Sequence, residues 1–172
     1  MRVFVTGASG WIGSAVVPEL IGAGHQVLGL ARSGSSAAAI AAAGAEVLRG
    51  DLDDLATLRA GAASSDGVIH LAFIHDFTDF QTSVSADRCA IETMAAALEG
   101  SGKPLVIASG TPALPRRVAT ERDEVPSVGP WRAGLRTPRP LSAWRNAASA
   151  RPSWGCPGRC TATAIITASS PA

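Results

Sequence analysis

The sequence predicts an α/β fold: a doubly wound parallel sheet of about five strands, incomplete, with an irregular C-terminal tail. Three observations carry that expectation. Short apolar runs alternate with helical patterns through residues 1–110. The first run ends in a glycine-rich turn that opens a helix. Beyond residue 111 the regular periodicity stops.

The elements follow in order. Arg2–Thr6 (RVFVT) is an apolar run with the length of a buried strand. Trp11–Ala23 has apolar residues at helical spacing, with Gly24 as its C-terminal stop and a kink expected at Pro18. His25–Ala31 is the second strand, Ser35–Ala43 an alanine-rich helix stopped by Gly44, and Ala45–Arg49 the third strand. Asp54–Ala60 makes a short helix and Gly67–Phe73 a fourth strand. Thr82–Leu98 is a long helix closed by Gly100 and Gly102, and Pro104–Ser109 is a fifth strand. Apolar strands joined by helices require a parallel sheet covered on both faces, and right-handed crossovers give the order 3-2-1-4-5. In the tail only Thr161–Ala168 (TATAIITA) has any regular character, and it is ambiguous.

With 172 residues, 47% of them hydrophobic and 17% charged, the chain suits one core-forming domain rather than a disordered segment. A net charge of +1 leaves no footprint for nucleic acid or an acidic membrane surface. No apolar run reaches the ~20 residues of a membrane helix. Met1-Arg2 leads straight into a strand pattern, so no secretory leader is expected. Three sparse cysteines (Cys89, Cys156, Cys160) fit a reducing cytoplasm. The averages hide a break, however. Residues 1–110 carry six basic and eleven acidic side chains, whereas residues 111–172 carry nine arginines, three acids and nine of the eleven prolines. The expected organisation is therefore a folded domain over residues 1–125 and an Arg/Pro-rich tail over 126–172.

The strongest chemical signal is the run from Thr6 to Gly13 (TGASGWIG), a GxxGxxG spacing between a strand and a helix. Gly7 permits the tight turn, Gly10 lets a diphosphate approach the backbone, and Gly13 lets the helix pack closely. Free N–H groups at the helix start, around Trp11 and Ile12, with a partial positive charge, suit phosphates, and the Ser9 hydroxyl can add a hydrogen bond. At the end of the second strand an acid would hold the ribose hydroxyls of NAD, but this chain has Arg32-Ser33. A guanidinium there pairs with a 2′-phosphate, so NADP is the expected cofactor, with NAD possible. Asp51-Leu52 follows the third strand. Asp51 is placed to accept from an adenine amino group with Leu52 against the ring, and the acids of this stretch equally suit the next helix cap. Leu71, Ala72 and Phe73 are placed to line the nicotinamide side.

Together TGASGWIG (6–13), LARS (30–33), GDLDD (50–54), HLAF (70–73) and VIASGT (106–111) resemble the extended short-chain dehydrogenase/reductase superfamily, of the NAD-dependent epimerase/dehydratase type. TERDE (120–124) is similar to a further segment of these proteins. The resemblance implies a Rossmann-type fold, a nicotinamide cofactor and redox or epimerase/dehydratase chemistry on a small carbonyl or alcohol substrate. It also implies a Ser or Thr after the fifth strand that hydrogen-bonds the substrate oxygen. Thr111 matches that position, with Ser109 as the alternative, and either hydroxyl could instead satisfy backbone groups at a strand end. The family's proton donor is a tyrosine with a lysine four residues on. This chain contains no tyrosine, and its one lysine, Lys103, precedes the fifth strand.

The tail has its own reading. Six arginines and no acid follow Pro126, a pattern expected of GC-rich DNA translated out of frame. Shifting a GC-favouring back-translation of Gly155–Ser170 by one base permits LPRPVHGDGDHHGFI, similar to a strand-and-loop segment of the same superfamily. A frame change near Pro130 is therefore expected, with the substrate half lost and an uncovered, unpaired edge at the fifth strand favouring self-association. Cys156 and Cys160 have the wrong spacing for a zinc knuckle, so no metal is expected. His70 and His75 are expected to be structural. Two functions remain: the cofactor domain of an oxidoreductase, or a non-catalytic NADP(H)-sensing module that contacts a partner.

Overall fold

Alternation along the first strand decides the two faces of the sheet. Phe4 enters one buried cluster with Leu28, Leu58, Val68 and Met94. Its neighbours Val3 and Val5 enter the other, with Val17, Val27 and Ile40. The computed structural model describes residues 1–109 and 165–167. The elements are β1 (Arg2–Thr6), α1 (Gly13–Gly22), β2 (Gln26–Ala31), α2 (Gly34–Ala42), β3 (Glu46–Arg49), α3 (Leu55–Ala63), β4 (Gly67–His70), α4 (Phe80–Ala97), β5 (Leu105–Ser109) and β6 (Ile165–Thr167). The strands form one six-stranded sheet in the order β3-β2-β1-β4-β5-β6, with every pairing parallel. Helices α1 and α2 supply residues to one core cluster and α3 and α4 to the other, which is the doubly wound arrangement.

The order of the first five strands is as the alternation predicts. The expectation of a bare edge at β5 is corrected. β6 pairs with it through Ile107 opposite Ile165 and Ser109 opposite Thr167. Parallel pairing is made by main-chain groups, so a short β-branched run such as Ile165-Ile166-Thr167 suffices for it. Thr111, the 125/126 boundary, Cys156, Cys160 and the tail apart from β6 lie outside the described residues.

Several boundaries differ from expectation, α1 starting at Gly13 rather than Trp11, and three others have local reasons. α3 continues past Gly61 to Ala63 because Gly61 lies over the Phe4 ring, where a Cβ would come within 2.8 Å. β4 stops at His70 because the next amides, of Leu71 and Ala72, turn to the Thr6 hydroxyl. α4 starts at Phe80 because Asp79 accepts from the Thr82 amide. The C-terminal stops are as expected. Gly24 and Gly44 adopt φ of 82° and 85°, each closing its helix with paired bonds back to the last turn.

Candidate functional site

The glycine turn divides its labour. Gly7 leaves β1 with φ 67°, and a Cβ there would lie 2.7 Å from the amide nitrogen of Ala72. A Cβ on Gly13 would collide with the carbonyl oxygens of Gly7 and Ala8. So the close approach that Gly13 permits is helix against turn. A Cβ on Gly10 would meet only the Gly7 oxygen, at 3.2 Å. Gly7 and Gly13 are thus required by packing, while the room beside Gly10 is left open.

That turn leads into a helix start unlike the other three. Ser33, Asp54 and Asp79 cap α2, α3 and α4 with side-chain oxygens. α1 begins after Ile12, which has no side-chain cap to offer. Gly10 N–H is used on Gly7 O at 2.9 Å and Ser14 N–H on Gly10 O at 2.8 Å. Between them, the amides of Trp11, Ile12 and Gly13 have no hydrogen-bond partner among the described residues. Orphan donors with the positive end of a helix dipole suit an anion.

They lie on a cavity of about 910 Å³ built from the carboxyl ends of four strands. Gly7, Ser9, Gly10, Trp11, Ile12 and Gly13 line it from β1, Arg32 and Ser36 from β2 and α2, Asp51 and Leu52 after β3, and Leu71, Ala72 and Phe73 after β4. β1 and β4 are adjacent in the sheet but separated in sequence by two strands, so the cavity sits where the winding reverses. Ser33 is not in its wall. Its hydroxyl accepts from Ser36 N–H at 3.0 Å and caps α2, and Ser36 lines the cavity in its place. Asp51 Oδ1 accepts from the amides of Asp53 and Asp54, at 3.0 and 3.1 Å, so this carboxylate shapes its own loop as well as the wall. Asp54 caps α3, and the Thr57 hydroxyl at 2.7 Å holds its carboxyl below the usual carboxylate range. Ser109 ends β5.

Sequence reasoning missed the loop after Phe73. Ile74, His75 and Asp76 also line the cavity. The His75 ring stands edge-on to Phe73, centroids 5.4 Å apart, and the Thr78 hydroxyl, 2.6 Å away, holds Asp76 below the usual carboxylate range. The sequence signal was present, since HLAFIHD continues the motif beyond its fourth residue.

His70 is structural, as expected, and its partners explain the cavity's shape. Thr6 Oγ1 accepts from the amides of Leu71 and Ala72, at 3.2 and 3.3 Å. With both lone pairs occupied, its proton goes to His70 Nδ1, 2.7 Å away. The imidazole therefore carries its hydrogen on Nε2 and donates it to Asp87 Oδ1 at 3.0 Å. Thr6 and His70 are 0% and 2% exposed, so the network is a buried and fully used one. It ties the glycine turn to the opposite wall of the cavity.

The profile of the NAD dependent epimerase/dehydratase family matches residues 3–112, which hold all of these strand ends. The chain belongs to that family. Its members bind nicotinamide cofactors, and the cavity lies where this fold holds them. An uncharacterized protein of Saccharomyces cerevisiae is 52% identical over 128 residues, covering 73% of this chain and 43% of the relative. An uncharacterized protein of Schizosaccharomyces pombe is 47% identical with the same coverage. The chain thus spans less than half the length of these family relatives. Among solved structures, Bordetella bronchiseptica WbmG in complex with NAD and UDP matches with TM-score 0.55 and 22% identity, over 64% of this chain and 37% of that one. Triphenylmethane reductase of Citrobacter sp., complexed with NADP(H), matches with TM-score 0.53 and 20% identity, over 64% and 38%. These two likenesses show the fold. Among the described residues, no helix is long and apolar enough to cross a membrane, and no group of three His, Cys, Asp or Glu could hold a metal ion.

Proposed function

We propose that this chain is the NADP(H)-binding domain of an extended dehydrogenase/reductase acting on a small carbonyl or alcohol substrate. The observation that carries the reading is the uncapped start of α1, open to a cavity at the winding reversal. The residues fit the cofactor: a side chain at Gly10 would stand where its diphosphate needs room. The amides of Trp11, Ile12 and Gly13 donate to that diphosphate, aided by the Ser9 hydroxyl. Arg32 pairs with the 2′-phosphate, Asp51 accepts from the adenine amino group, and Leu52 packs on its ring. Leu71, Ala72 and Phe73 enclose the nicotinamide, which when bound supplies or accepts a hydride. Ser109 or Thr111 holds the substrate oxygen in this reading.

The substrate half is read as lost after a frame change near Pro130. The Arg-rich, acid-free composition after Pro126 supports the frame change. DNA sequence across codons 125–135 checks it, and an intact frame on an independent clone refutes it. The second reading, a non-catalytic NADP(H) sensor, is favoured by the absence of tyrosine from the chain. Hydride transfer to a panel of aldehydes and ketones separates the two, because only the first allows turnover. Sparse cysteines, with Cys89 free and exposed, support a reducing cytoplasmic setting. Apolar surface left by a lost half would favour self-association.

Isothermal titration of the full chain with NADP⁺ and NAD⁺ tests the cofactor. The wild type binds NADP⁺ more tightly by about tenfold, the worth of one charge-assisted pair, and Arg32→Glu loses or reverses that preference. Affinities that Arg32→Glu leaves unchanged remove the assignment.

A further inference from the structure

The loop after β4 brings a row of rings to the cavity. Phe80, the first residue of α4, lies 6.1 Å from Phe73, Phe73 lies 5.4 Å from His75, and His75 lies 6.1 Å from Phe77, centroid to centroid. The His75 ring meets Phe73 and Phe77 edge-on, at 82° and 64°. Phe73 and His75 line the cavity, while Phe77 ends the row 76% exposed. The loop that carries these rings is tied down. Asp76 Oδ1 accepts from the Thr78 amide and hydroxyl, at 2.9 and 2.6 Å, and the Ser83 hydroxyl donates to the Asp76 carbonyl oxygen at 3.4 Å.

His75 is the unspent polar group of this wall. Both ring nitrogens of His70 are engaged, on Thr6 and Asp87. Those of His75 make no hydrogen bond among the described residues, and its contacts are the two rings. An imidazole always carries at least one N–H to donate. Positive charge, by contrast, is missing. Among the described residues Arg32 is the only Lys or Arg in the cavity wall, and it follows β2, two strands away from β4. The charged group at the β4 end is the carboxylate of Asp76, which repels a phosphate. A ligand that answers this wall is therefore flat, apolar and free of phosphate, with an oxygen that accepts from the imidazole. An aromatic ring suits it better than a saturated one, because ring pairs gain beyond the area they bury.

We propose that this wall is the substrate subsite and that it selects an aryl carbonyl compound: the substrate's ring packs on the row from Phe73 through His75 to Phe77, and the His75 N–H holds its carbonyl oxygen. The inference rests on the nucleotide reading above, which puts the nicotinamide beside Phe73, and it names the substrate class. Its test is NMR titration of the full chain saturated with NADP⁺, which cannot reduce a carbonyl. The probes are acetophenone, cyclohexyl methyl ketone and UDP-glucose. The chain has three histidines, so the imidazole C–H signals of His75 are assigned by their loss in His75→Phe. Acetophenone moves those signals saturably and binds about fivefold more tightly than the cyclohexyl ketone, the worth of one aromatic pair. UDP-glucose leaves them in place. His75→Phe keeps a ring and loses the N–H, and it weakens acetophenone by about fivefold, as one neutral hydrogen bond should. Phe77→Ala narrows the preference for acetophenone over the cyclohexyl ketone. Amide-signal dispersion verifies that both variants fold. Acetophenone that leaves the His75 signals unmoved, binds no better than the cyclohexyl ketone, or binds His75→Phe undiminished overturns the proposal, as does displacement of acetophenone by UDP-glucose. NADP⁺ binding without acetophenone binding removes this inference alone. Wild type that fails to bind NADP⁺ removes the nucleotide reading with it.

Discussion

Gly10→Val abolishes dinucleotide binding and leaves the chain folded. At this position the backbone does not require glycine. Its φ is outside the left-handed range, and a Cβ would press only on the Gly7 oxygen, at 3.2 Å. The added methyls project toward the cavity that Gly10 lines. They hold a diphosphate away from the amides of Trp11, Ile12 and Gly13. Losing two charge-assisted hydrogen bonds of about 2 kcal/mol each lowers affinity by more than about a hundredfold. Titration with NADP⁺ reads that loss, and thermal unfolding reads the fold. Undiminished binding by a folded Gly10→Val places the diphosphate elsewhere. A comparison with Gly13→Val sharpens the result, because there the new side chain meets main-chain carbonyls and the fold itself suffers.

Thr6→Val, nearly isosteric, strongly destabilises the domain. The Thr6 hydroxyl is 0% exposed and serves three partners at once: His70 Nδ1 and the amides of Leu71 and Ala72. Leu71 N–H keeps a second acceptor, the Thr6 carbonyl oxygen at 3.2 Å. The Ala72 amide and His70 Nδ1 do not. A buried ring nitrogen and a part-buried amide left unpaired cost about 2 kcal/mol together, a large share of a small domain's stability. A lower midpoint in urea with an unchanged slope is the expected signature, and Thr6→Ser, which restores the hydroxyl, recovers most of it. Dinucleotide affinity falls as well, because the Leu71–Phe73 wall is no longer tied to the glycine turn. Wild-type stability in Thr6→Val would show that the network is not the tie we describe.

The two kinds of group differ in how well the sequence discloses them. The glycine turn was legible because its chemistry is local: strand, turn and helix start are consecutive, and Ile12 in the capping position leaves the amides bare. The strand order was legible because apolar runs and helices alternate strictly. The Thr6–His70 contact joins residues 64 apart and exists only once β1 and β4 are paired. Arg49 reaches Ser33 across 16 residues for the same reason. Spacing along the chain carries no trace of either. β4 read three residues too long because Leu71-Ala72-Phe73 is as apolar as a strand, and its departure from the ladder is dictated by a hydroxyl on another strand. β6 was not assigned because three residues are too few to show a period.

The central claim is that main-chain amides at the start of α1 seat the diphosphate. Two-dimensional amide NMR of the ¹⁵N-labelled full chain during titration with NADP⁺ tests it at those atoms. The amide signals of Trp11, Ile12 and Gly13 are expected to move most and to saturate with binding. Saturable binding that leaves these three signals in place contradicts it.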